Sequence, residues 1–146
     1  MDIRIENKNV FYVSGYAIDT SEASLETDCA MLREKYEGIL RPVSNHLYFV
    51  AWAAKDGTMT YLLGIETTSQ VPATEGATCV EVPANCFAVA VVPQGASILA
   101  MWHEFFGAFE TETSALGGAA IDIDYRFYLE SFAENGVCEL WIPVKK

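Results

Sequence analysis

Histidine, cysteine and positive charge are all scarce in this chain. The four cysteines, Cys29, Cys79, Cys86 and Cys138, form no CxxC pair, which argues against a zinc site and against thioredoxin-like redox chemistry. They are read as reduced, mostly buried thiols, with a Cys79–Cys86 disulfide the disfavoured alternative. The two histidines, His46 and His103, do not stand in metal-ligand spacing, so neither a metal nor a cofactor is expected. Nine basic residues face 20 acidic ones, a net charge of −11, and such a surface repels phosphates and excludes direct nucleic-acid binding. No apolar run reaches the roughly 20 residues that span a bilayer. The opening MDIRIENKNV lacks the basic and apolar regions of a secretory signal, and a cytoplasmic protein is expected. There is no nucleophile elbow, metal triad or phosphate loop.

Apolar residues are abundant, at 51% against 20% charged over 146 residues, which is enough for one domain with a real core. Two segments of similar order fill that length. The first opens on alternating IRIENKNVFYVSGYAI, read as strand, and a helix is expected from Thr20 or Ser21 to a stop at Gly38. Leu25, Cys29, Leu32 and Tyr36, spaced 4, 3 and 4 apart, share one helical face. LYFVAWAA and TYLLGIETT follow as a hairpin around Asp56-Gly57. After a linker at 72–76, ATCVEVPANCFAVAVV is strand with a bend at Pro83, and Ile98, Trp102, Phe105 and Phe109 repeat the helical spacing of the first half. A loop marked by Gly117-Gly118 leads to two strands, DYRFYLESFA and CELWIPV, turned at Asn135-Gly136.

The expected fold is α+β: a single domain, 1–146, of two strand-helix-strand-strand halves, about 1–70 and 77–146, related by a pseudo-dyad. An offset of 78 aligns Phe49 with Phe127, Leu62 with Leu140 and Trp52 with Glu130. The antiparallel sheets of the halves would leave a cleft on their helix-free faces, since pockets form at such junctions. Strand alternation then turns Leu47, Phe49 and Ala51 to the first helix, with Phe127 and Leu129 to the second. Tyr48, Trp52, Tyr128, Glu130 and Trp141 would line the cleft. Glu130 stands out because it is an acid inside the most aromatic run of the chain, YRFYLESF. It is either a solvated residue on an open sheet face or the charged floor of an aromatic cleft. Trp102, Phe105 and Phe109 are read as core, and Glu22, Glu26, Glu34 and Glu37 as the wet side of the first helix.

VPANCFAVAVVPQG from Val82 to Gly95, the helix carrying Trp102, the FYLESF strand and the closing ELWIPV together resemble the GyrI-like effector-binding domain, found also in AraC-type and MerR-type multidrug regulators. The resemblance spans nearly the whole chain. It implies a small-molecule pocket with a central glutamate, at Glu130, and a last-strand aromatic, at Trp141. It implies lipophilic or cationic drugs as ligands. Because Met1 leads almost directly into the first strand, no helix-turn-helix is expected before it.

The function expected on these grounds is a stand-alone binding protein for lipophilic or cationic aromatic compounds, a sensor or sequestering module. Two alternatives stand beside it. One is a hydrolase of reactive small molecules using Glu130 with Tyr128 or Tyr48. The other is an inhibitory module that contacts a basic protein partner.

Overall fold

The computed structural model describes residues 2–53, 58–111 and 118–145, without the side chains of 110 and 111. The alternating opening forms two strands, β1 (Ile3–Lys8) and β2 (Phe11–Thr20), before helix α1 (Leu25–Leu40). Strands β3 (Leu47–Ala53) and β4 (Met59–Thr67) complete the first half, while the Asp56-Gly57 turn lies outside the described residues. The second half runs β5 (Thr78–Val82), β6 (Asn85–Val92), α2 (Ile98–Thr111), the short β7 (Ala120–Ile121), β8 (Tyr128–Phe132) and β9 (Cys138–Lys145). Gly136, at φ 85°, takes the left-handed turn position that Asn135-Gly136 foretells.

These strands form one antiparallel sheet in the order β1-β6-β9-β8-β3-β4-β2-β5, with β7 on the far end of β9. The order is symmetric about the central β3–β8 pair. Each half sends its first strand across to the other, since β1 pairs with β6 and β5 with β2. The halves are therefore joined through their strands and not merely set side by side. No described helix is long and apolar enough to cross a membrane.

Both helices lie on one face of the sheet. Leu32 and Leu40 of α1 pack with Leu47, Phe49, Leu63 and Ile65, and Trp102 and Phe105 of α2 pack with Ala88, Ala90, Leu140 and Ile142. Helix α1 runs past the expected stop at Gly38 to Leu40, which is fully buried. Burying a leucine stabilises by about 2 kcal/mol, more than the roughly 1 kcal/mol a mid-helix glycine costs. Arg33 and Arg41 flank Glu37 at 3.1 and 3.2 Å, each an i,i+4 pair that supports this last stretch. Gly15 and Gly64 face one another on β2 and β4, and a Cβ on Gly15 would lie 1.9 Å from the Leu63 carbonyl oxygen. Only glycine permits that backbone approach.

Candidate functional site

The site begins with the parity of β8. Glu130 is paired with Phe49 of β3 on one side and Leu140 of β9 on the other. Phe49 packs beneath α1 and Leu140 beneath α2, and residues opposite one another across a ladder share a face. Glu130 therefore points into the space between the helices, with Tyr128 and Phe132 on the same face. It is 5% exposed.

One hydrogen bond holds the carboxylate: the Trp102 indole Nε1 donates to its Oε2 at 3.0 Å. The Tyr61 hydroxyl, on β4, lies near enough to favour its charged form. Among the described residues no lysine or arginine forms an ion pair with it. Arg33 of α1 acts only through its field, since its Nε is bound to Glu37 and its guanidinium lies over the Phe132 ring, 4.3 Å from the centroid. Burial dominates the balance and pushes the Glu130 carboxyl up from its ordinary 4.5 to about 7, against the Trp102 hydrogen bond, the Arg33 charge and the nearby Tyr61 hydroxyl. Neighbouring groups follow the same physics. Burial first, then the Glu130 charge, pushes the Cys29 and Cys138 thiols up to about 12, so both are neutral and unreactive. The Tyr61 hydroxyl is likewise raised well above its usual range, by burial and then by Glu130.

Above this floor lies a cleft of about 390 Å³ between the N-terminal turns of the helices, walled by Leu25, Cys29, Ile98, Trp102 and Phe132. The volume suits a small organic molecule. The buried Glu130 thus forms the floor of a cleft whose wall is mostly apolar and aromatic, with the exposed Glu26 and the half-buried Arg33 also on its lining.

A family model, described as an integron-associated effector binding protein, matches residues 4–144. The chain belongs to that family. The solved structures agree on this effector-binding fold. SAV2435 bound to tetraphenylphosphonium superposes with a TM-score of 0.70 at 14% identity, over 99% of this chain and 94% of that one. An integron cassette protein from the mobile metagenome of Vibrio cholerae gives 0.70 at 16% identity, over 99% and 96%. The C-terminal domain of EcmrR gives 0.61 at 11% identity, over 99% and 97%. No curated protein matches the chain in sequence.

Within this effector-binding fold, the five site residues expected from sequence do not converge. Tyr128 shares the helix side with Glu130, and its ring meets Trp102 edge-on at 6.3 Å. Tyr48, Trp52 and Trp141 occupy the helix-free face. Tyr48 stacks on His46 at 4.6 Å, Trp52 meets Phe127 edge-on at 5.7 Å, and Trp141 meets Phe87 at 5.6 Å. The expectation for Phe127 and Leu129 is also reversed, since both pack on the helix-free side. The cleft accordingly opens toward the helices, where sequence reasoning placed it on the bare face. The cause is one of parity. The offset of 78 aligns Leu62 with Leu140, yet Leu62 lies on the helix-free face and Leu140 on the other, and a one-residue slip inverts every side chain of a strand.

Trp102 and Tyr61 were missed as site residues. Helical spacing marks Trp102 as core, and it is buried, but its indole N–H needs an acceptor once buried. The lone acid of the aromatic strand was the available one.

Proposed function

We propose that this protein binds lipophilic aromatic cations in the cleft between α1 and α2, with Glu130 as the counter-charge, and that it senses or sequesters them. The observation that carries the reading is Glu130 itself, a buried carboxylate at the base of an aromatic cleft, held by the neutral Trp102 N–H donor and raised to about 7. An incoming cation completes an ion pair that Glu130 lacks among the described residues, and each well-placed ring adds about 0.5–2 kcal/mol. The tetraphenylphosphonium bound to SAV2435, a lipophilic cation, supports the same chemistry. Titration of tetraphenylphosphonium into wild type and Glu130→Gln at pH 8 tests it. Loss of the buried charge is expected to cost about 2–3 kcal/mol, roughly a 30- to 150-fold weaker Kd. Equal affinities would remove Glu130 from the function.

The hydrolase reading gains one observation: the Tyr61 hydroxyl lies near enough to Glu130 to favour its charged form, and that carboxyl stands near neutrality. On this reading Tyr61 takes the partner role that the sequence offered to Tyr48 or Tyr128. Turnover of an electrophilic aromatic ester, abolished in both Glu130→Gln and Tyr61→Phe, would support it, and unchanged background hydrolysis would dismiss it.

A further inference from the structure

A second cleft, of about 280 Å³, lies beside the first, and the two share Leu25, Leu99 and Trp102. These three side chains form the divide. Trp102 contributes to both chambers: its N–H is bound to Glu130, while its ring stacks on Phe106, centroids 5.8 Å apart, and meets Tyr128 in an edge-on pair. The second chamber is otherwise lined by Met59, Tyr61, Phe106 and Tyr128, an aromatic and thioether surface. Tyr61, which lines this chamber, also favours the charged form of Glu130, so residues of both chambers act on the same carboxylate. Among the described residues the one acid lining the second chamber, Glu22, is exposed and paired with His103 at 3.2 Å.

We infer that the site is bipartite and takes elongated monocations with two ring systems, the charged end over Glu130 and a neutral aromatic end beyond the Leu25–Leu99–Trp102 divide. The inference rests on the cation-binding reading and specifies its ligand class. One buried acid matches one positive charge. The second chamber offers rings and a polarizable sulfur with no buried counter-charge, which suits an uncharged aromatic group. The second chamber alone is small for a drug-sized ligand, whereas the pair together falls within the usual range.

The test uses two probes that differ by one ring, benzyltrimethylammonium and (4-phenylbenzyl)trimethylammonium, titrated calorimetrically into the full chain. Wild type is expected to prefer the two-ring cation by about 30-fold, the effect of burying one more phenyl group. Filling the second chamber with Met59→Trp, or independently with Phe106→Trp at a partly exposed position, is expected to collapse that ratio to below about threefold. A ratio near one in wild type, or one that survives both substitutions, overturns the bipartite site while leaving the cation reading intact. Failure of both probes to bind wild type overturns the cation reading and this inference with it.

Discussion

The two faces of the central sheet are made of similar residues and do different things. On the helix-free side, Phe11, Tyr48, Trp52, Phe87, Phe127 and Trp141 pack ring against ring, with centroids 5.6–5.7 Å apart in tilted or edge-on pairs. On the helix side, Phe49, Trp102, Tyr128 and Phe132 stand beside open clefts and around a buried acid. Aromatic content therefore does not mark the site. What separates the faces is the gap left where two helices meet one sheet, and an acid turned toward it by strand parity.

The largest effect that probes this contrast is on stability. Trp141→Ala should cost about 2–4 kcal/mol in urea unfolding, because a large ring is removed from a packed face. Its affinity for tetraphenylphosphonium, measured on the folded fraction, should stay within about twofold of wild type, since Trp141 lies across the sheet from Glu130. A marked loss of affinity at undiminished stability would place Trp141 in the site and erase the distinction between the faces.

Of comparable size is the pH dependence that Glu130 imposes on folding. Its folded pKa of about 7 lies above its ordinary 4.5. Below 4.5 the group is protonated whether folded or not, and it costs nothing. Between the two values the folded protein retains a proton that the unfolded chain has released, so stability falls as pH rises. Above about 7 the whole penalty is present, about 3 kcal/mol. Glu130→Gln abolishes this titration. The variant should therefore gain on wild type by about 2–3 kcal/mol between pH 5 and pH 8 in paired urea melts. A stability difference that does not change with pH would show that Glu130 is solvated, and the two faces would then differ only in shape.

Much of this architecture is legible in the residues, and the limits are instructive. Ile98, Trp102, Phe105 and Phe109 announce α2 because a 3.6-residue period survives without tertiary context, and the four do share one core face. Glu130 could be singled out because an acid between aromatic neighbours has few explanations. The side it faces was not legible, since Phe127 and Leu129 are as apolar as Tyr128 and Phe132 and alternation alone leaves the sign open. Pairing of β1 with β6, and of Gly15 with Gly64, is non-local and leaves no pattern along the chain. Trp102 was hidden by serving two purposes, since its ring belongs to the core and its N–H to the site.

The subtlest difference between the faces lies in their indole nitrogens. The Trp141 Nε1 is buried with no hydrogen-bond partner among the described residues, whereas the Trp102 Nε1 donates to a carboxylate. Removing the second should act on the titration of the site. In Trp102→Phe the carboxylate loses a donor that favours its charged form, so the Glu130 pKa should rise by about one unit beyond its wild-type value, the equivalent of one charge-assisted hydrogen bond. Cation binding needs the ionised form. Affinity in wild type should thus weaken about tenfold for each pH unit below about 7, and in Trp102→Phe the same decline should begin about one unit higher. Tetraphenylphosphonium Kd values from pH 5.5 to 9 read both midpoints. The Arg33 charge and the nearby Tyr61 hydroxyl remain in the variant and limit the rise. Coincident curves would mean that the Trp102 contact positions the ring without tuning the acid, and the indole N–H groups of the two faces would then be equivalent for function.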